Sequence, residues 1–461
     1  LNSLFIQGNK FKYNNTIYEL DDMFSDHVFE ECNEIAEKYV GEIWVVNEVF
    51  LNRVQPYKAI EIFLSGLDIE SIELENPDNN LLPLVLDFAK NKGITVKGSS
   101  NFYKVKNVFY GQINLILTSI YLILKMLKIP HKSEVSSNKE KISLIRTPAS
   151  KKKLSFLNDI DFRYEDFNDK NSIYNCFSKH KRIYWVTKSW ITSYKEMKNY
   201  SKYIQNIIGP FSSANAYKYY GKRVVHTILY SIVIDVFLAN NEGKKFYTGN
   251  NLDRFALIEE AAAKKHNIHT LCIPHGLEYG FKLPYCFIGD EFYTTSFNAS
   301  LYLNQLYDTN KFIYRQDIAK NMFSVNYENK KSERDIVFFT EPREVEVNFK
   351  IIEGLIPLLN SKNLQLFVKL HPKDKKSDYD KYSKDIQLVE DFNSSISKNI
   401  CISRKSTILL EAVYNNSDAA AILINNKDKV IFNTFPSLQD KSIKAFNSMD
   451  KLFEWILEKK K

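Results

Sequence analysis

Two strand-then-turn segments in the C-terminal third constrain this chain more than any other feature. Leu364-Gln365-Leu366-Phe367-Val368 is a short β-rich run that delivers Lys369-Leu370-His371-Pro372-Lys373. Asn399-Ile400-Cys401-Ile402 is a second such run. It delivers Ser403-Arg404-Lys405-Ser406-Thr407 before Ile408, Leu409, Leu410 and Val413 open a helical pattern. In an open parallel sheet, residues just past the carboxyl ends of strands line the ligand crevice. A helix start there offers free N–H groups and a partial positive charge to an anion. Two such strand ends, carrying His, Lys, Arg, Ser and Thr, predict a site for a phosphorylated nucleotide.

The rest of the pattern sets the fold class. Strand-like runs at 42–46, 71–74, 94–96, 142–145, 182–186, 245–248, 269–273, 336–339 and 419–424, with a further one at 430–432, alternate with helical patterns at 83–91, 253–266, 349–359 and 448–457. The apolar segment 224–238 reads as a core helix. At 461 residues the chain is too long for one ordinary core. The expectation is an α/β protein of two facing Rossmann-like, doubly wound domains, 1–330 and 331–461, joined through the charged stretch 328–334.

Composition narrows the function class. Hydrophobic content of 44% with 12 Pro and 14 Gly describes a folded globular chain. The net charge of +8 permits anionic substrates, but no Arg-rich arm or basic–aromatic alternation points to nucleic acid. Cys32, Cys176, Cys272, Cys286 and Cys401 are scattered, without a disulfide framework or zinc spacing, which suggests a reduced cytoplasmic setting. The apolar stretch 108–129 is interrupted by Thr118 and Ser119 and closed by Lys125 and Lys128, so a buried or interfacial helix is expected rather than a membrane span. Its basic end leaves room for peripheral contact with a membrane surface.

Individual residues then take roles. His371, held extended by Pro372, can donate to a phosphate oxygen or act as a general acid, with Lys369 beside it. Ser406 and Thr407 suit both helix capping and phosphate binding, Arg404 adds charge, and Ser403 opens the turn. Glu411 lies one helical turn past Thr407, within reach of a ribose. Glu341 and Arg343 follow the strand at 336–339 and sit where a phosphate or base could touch them. His275 and Glu278 are candidate catalytic groups after the strand at 269–273, and Gly276 would permit close backbone approach. Asp253 and Arg254 begin a helix, where an Asp is expected for dipole reasons alone. No Gly-x-Gly-x-x-Gly, Walker A or Gly-x-Ser-x-Gly string occurs, and Asp21-Asp22 does not imply a catalytic metal.

A His-Gly turn at 275–276, the His371-Pro372 pair and the later Ser406-Thr407 pair together resemble the GT-B glycosyltransferases of bacterial surface polysaccharides, nearest to those using CMP-activated donors. Sialyl-, polysialyl- and 3-deoxy-manno-octulosonate-type transferases of this fold share the pattern. The resemblance spans mainly 245–290 and 335–425. It implies that His371 stabilises the leaving phosphate and that Ser406 and Thr407 bind it. It also implies a CMP-sugar donor, an oligosaccharide or lipid-linked glycan acceptor, no added cofactor, and work at the cytoplasmic face of the inner membrane in capsule or lipopolysaccharide synthesis. The family's acidic-acidic-Gly base motif has only Asn241-Glu242-Gly243 as a counterpart, which leaves the base to His275 or Glu278. Teichoic-type CDP-polyol phosphotransferases, with one histidine in each domain, are similar too. A UDP-sugar transferase and a non-catalytic binding module of the same fold also remain open.

Overall fold

A computed structural model of the chain describes residues 2–40, 47–98, 102–131, 134–274, 276–283, 289–327, 334–342 and 344–460. The expected strand at 42–46 therefore lies outside the described residues, as does the charged stretch 328–334 apart from Arg334. Packing divides the chain into two compact units. One holds Leu1–His275 and Phe281–Phe292, the other Gly276–Gly280 and Tyr293–Lys461. The architecture is α/β, as the alternation of patterns required.

The first unit contains two sheets. Strands β1 (Ser3–Gly8), β2 (Lys10–Tyr13), β3 (Thr16–Glu19), β4 (Ser71–Pro77) and β5 (Thr95–Lys97) lie in the order β3-β2-β1-β4-β5. β1, β4 and β5 are parallel, while β2 and β3 add an antiparallel edge. Asn14 and Asn15 both take positive φ between β2 and β3, the two-residue turn that suits a hairpin's twist. This antiparallel edge departs from the purely doubly wound reading of the first hundred residues. The second sheet runs β10 (Glu291–Tyr293), β9 (His269–Cys272), β8 (Lys245–Thr248), β6 (Lys141–Ile145), β7 (Ile160–Tyr164), all parallel.

Helices Tyr103–Lys128, Lys179–Ile207, Pro210–Tyr220 and Val224–Ala239 form a packed layer in this unit. Residues 182–186 belong to the second of these, not to a strand. Their β-branched and aromatic side chains mimic a strand, but Arg182, Trp185, Val186, Ser189 and Ser193 are buried at helical spacing. Arg182 donates to the carbonyls of Ile129 and Pro130, capping the end of Tyr103–Lys128. That helix buries one stripe only (Asn107, Gly111, Leu115, Ser119, Leu122, Met126). At Gly111 a Cβ would meet the Tyr217 ring at 2.3 Å, so the crossing with Pro210–Tyr220 needs glycine there.

The second unit carries helices Phe297–Tyr307 and Gln316–Phe323, a short strand β11 (Phe312–Ile313), and one six-stranded parallel sheet. Its strands are β12 (Ile336–Phe339), β13 (Leu366–Lys369), β14 (Ile386–Val389), β15 (Ile400–Ser403), β16 (Asp418–Ile422) and β17 (Ile443–Phe446). The order is β14-β13-β12-β15-β16-β17, the doubly wound order in which the chain moves outward from its first strand and then returns to the other side. β12 is buried at every residue, as a strand covered on both faces must be. Ile351, Ile352 and Leu355 of Val345–Asn360 and Leu452 and Ile456 of Met449–Lys460 complete the core with Phe338, Val368 and Ile402. Residues 430–432 form part of helix Asn426–Asn433 rather than a strand. Asn425 caps that helix by accepting from the Asp428 N–H at 2.8 Å, and this local signal overrides the β-rich run.

Asp87 shows what fixes the helical layer. Its buried carboxylate accepts the N–H groups of Phe211 (3.0 Å) and Ser212 (2.7 Å) at the start of Pro210–Tyr220. Asp87→Ala leaves those donors unmet and should cost about 1–3 kcal/mol, read as a lower midpoint in urea unfolding.

Candidate active site

The sequence signals converge on the carboxyl rim of the second unit's sheet. β12 and β15 are neighbours at the point where the strand order reverses, and β13 lies on the other flank of β12. Three consecutive residues at the end of β12 tie down the flanking crossovers. The Phe339 carbonyl accepts from Ser403 Oγ at 3.0 Å, Thr340 Oγ1 from the His371 N–H at 2.9 Å, and Glu341 Oε1 from the Lys405 N–H at 2.8 Å. His371, Glu341 and the Ser406 turn are thereby held on adjacent strand ends of one rim.

The His371 imidazole is oriented. Its Nδ1 accepts the backbone N–H of Lys373 at 3.1 Å, so in the neutral ring the proton sits on Nε2. Partial burial lowers its pKa below the usual histidine value, against the opposing pull of Asp374. Asp374 also accepts the Thr340 hydroxyl at 2.5 Å, closing the turn. The result is a half-buried, neutral hydrogen-bond donor. Lys369 is half-buried with its ammonium 3.4 Å from the Leu370 carbonyl, and Pro372 is exposed.

Ser406 and Thr407 are both partly accessible. Ser406 Oγ accepts weakly from the Ile408 N–H at 3.3 Å, and Thr407 occupies the cap position without a side-chain cap bond. Helix Ile408–Tyr414 is only seven residues long, so the hydroxyls matter more here than its dipole. Glu411 lies half-buried on that helix.

Two residues of this turn are used differently from the sequence expectation. Arg404 is fully buried and faces inward, with Nε donating to Asp428 at 2.5 Å and Nη2 to Asp428 at 2.8 Å and to Glu344 at 2.6 Å. Ser403 is buried against β12. Lys405 sits among Glu341, Glu344 and Asp428, and Lys427 pairs with Glu344 at 2.5 Å. The turn rests on an internal charge network whose anchors, Glu344 and Asp428, carry no local sequence signal. Thr340 is a further member of the site absent from the sequence expectation, and its signal is a Thr directly after a buried strand.

The remaining candidates fall elsewhere. His275 and Arg343 lie outside the described residues. Glu278 is buried and accepts from the Thr295 N–H (2.6 Å), the Thr295 hydroxyl (2.7 Å) and the Ser437 hydroxyl (3.1 Å). Burial raises its pKa, and its bonds make it a clasp for the segment Gly276–Gly280. At Gly276 a Cβ would meet nothing within 4 Å, so no close protein contact demands glycine. Asn241 is a buried structural residue that accepts the Ser137 N–H at 2.7 Å.

The first unit also gathers charge at the carboxyl ends of β6, β7 and β8. Arg146 pairs with Asp253 at 2.5 Å and with the buried Glu259, His226 Nε2 lies 2.8 Å from Glu165, and Arg254 lies 3.1 Å from His226 Nδ1. No group of three or more His, Cys, Asp or Glu side chains able to hold a metal occurs among the described residues.

Two measurements check this geometry. Arg404→Met leaves Asp428 buried beside a single cation and should destabilise the second unit by about 3–5 kcal/mol. In an NMR titration, the His371 ring should change charge below pH 6.5, since burial disfavours the imidazolium. The chain matches no protein-family model, and no curated protein matches it in sequence.

Proposed function

We propose that the protein is a GT-B-type glycosyltransferase that moves an acidic sugar of the nonulosonic or Kdo class from a CMP donor to a glycan hydroxyl. The observation that carries this reading is the 3.1 Å hydrogen bond from the Lys373 N–H to His371 Nδ1. With Nδ1 accepting that bond, the neutral ring carries its proton on Nε2, a donor for an anion at the rim of a doubly wound sheet. A departing CMP develops negative charge on its phosphate. A preoriented neutral donor such as His371, with the Ser406 and Thr407 hydroxyls beside the switch point, meets that charge where it forms. Glu341 is held by Lys405 and is suited to positioning the turn rather than to proton transfer.

A thermal-shift panel of CMP, CDP, UDP and GDP tests the donor, because a ligand selective for the native state raises the apparent melting temperature. CMP should give the largest shift. His371→Ala should lower kcat by about 10²–10³-fold with a native melting profile. Ser406→Ala combined with Thr407→Ala should raise the donor KM by about tenfold or more, since each neutral donor lost is worth roughly 1 kcal/mol. Near-normal turnover by the His371 variant would falsify the assignment.

A further inference from the structure

Within the first unit, a cavity of about 580 Å³ opens between the turn Phe50–Val54, the start of helix Tyr103–Lys128 and the end of helix Pro210–Tyr220. Its lining includes five cationic side chains, Arg53, Lys106, Lys218, Lys222 and Arg223, and no carboxylate among the described residues. Lys106, Lys218 and Lys222 are exposed and form its mouth. Arg53 is only 6% exposed, and its Nη1 is buried with no hydrogen-bond partner among the described residues. Of the five cations, Arg223 is answered by Glu48, which makes no ion pair with Arg53 among the described residues. The Glu48 carboxylate accepts from Tyr219 Oη at 2.5 Å and lies 3.7 Å from Arg223 Nε.

A guanidinium cannot shed its proton to relieve burial, so its charge calls for a counter-charge. Burial already works against the charged form of Arg53, and only tyrosine hydroxyls act in its favour. Its turn is π-helical, with the Gln55 N–H bonded to the Phe50 carbonyl, a local geometry that recurs at functional sites. A concave site with one unpartnered buried guanidinium nitrogen and three exposed ammonium groups is completed by an anion with several acceptor oxygens.

The surface beside the mouth indicates what carries that anion. Phe102, Val105 and Phe109 are 76%, 68% and 62% exposed and share a helix face with Lys106 at i, i+3, i+4 and i+7 spacing. Exposed apolar side chains continue along the helix through Leu117 and Leu124. Lys125 and Lys128 close the far end. Apolar side chains flanked by lysines suit a helix lying in a lipid interface next to anionic headgroups.

We propose that this cavity binds the phosphate-bearing headgroup of an anionic lipid while the exposed face of Tyr103–Lys128 enters the interface beside it. The proposal stands on the first unit alone, and failure of the nucleotide test leaves it untouched.

The test uses the full chain in sedimentation with vesicles of phosphatidylcholine alone or with added phosphatidylglycerol, and inorganic pyrophosphate in thermal shift. The wild-type chain should partition onto the anionic vesicles and be displaced by salt. Lys106→Glu with Lys218→Glu, and separately Phe109→Ser with Leu117→Ser, should each lower partitioning by about tenfold or more. Arg53→Met should melt no lower than wild type, having lost an unpaired buried charge, and should lose the shift given by pyrophosphate. Pyrophosphate stabilisation without vesicle binding identifies a soluble phosphate compound as the ligand and overturns the lipid assignment. Vesicle binding indifferent to the lysine reversals, or an Arg53→Met chain that still responds to pyrophosphate, overturns the pocket itself.

Discussion

The end of β12 is the constraint on which the candidate site depends. This strand is buried along its whole length, so its backbone is the least adjustable part of the second unit. From its last residue onward, Phe339, Thr340 and Glu341 each accept one hydrogen bond from a crossover to the left or right. Three bonds of ordinary length therefore set His371 on one side and the Ser406 turn on the other. Each contributes only about 0.5–1.5 kcal/mol, but together they decide where an imidazole and two hydroxyls lie.

The charge network beneath the turn serves the same end by other means. Arg404 and Lys405 face inward to Asp428 and Glu344, so their charges are largely answered inside the protein. What the turn offers outward is hydroxyl rather than cationic character. A neutral imidazole and two hydroxyls form a gentler site than the basic cluster that the sequence suggests. Such a site is better matched to charge that appears during reaction than to a resting polyanion.

How far the chain could be read without coordinates depended on the source of each signal. Strands β12, β13 and β15 announce themselves as apolar runs, and His371 and Ser406 follow from where β13 and β15 stop. Residues 182–186 and 430–432 misled for one reason. Tyr, Trp, Ile, Val and Phe favour strands locally, but tertiary packing in one case and the Asn425 cap in the other decide for helix. Arg404 could not be placed from sequence, because its partner Asp428 lies 24 positions on, beyond helix Ile408–Tyr414 and strand β16. Arg53 was equally silent, since nothing local to it reports the lysines that surround its cavity.

The strand order carries a further implication for how the second unit comes into being. β12, β13 and β14 are consecutive and can pair as they leave the ribosome, whereas β15 must return across 64 positions to reach the other edge of β12. The crevice at the reversal exists only after that late closure. A nucleotide lodged there would act as a latch between the two halves of the sheet, shielding the intervening crossovers from proteases more than either half alone.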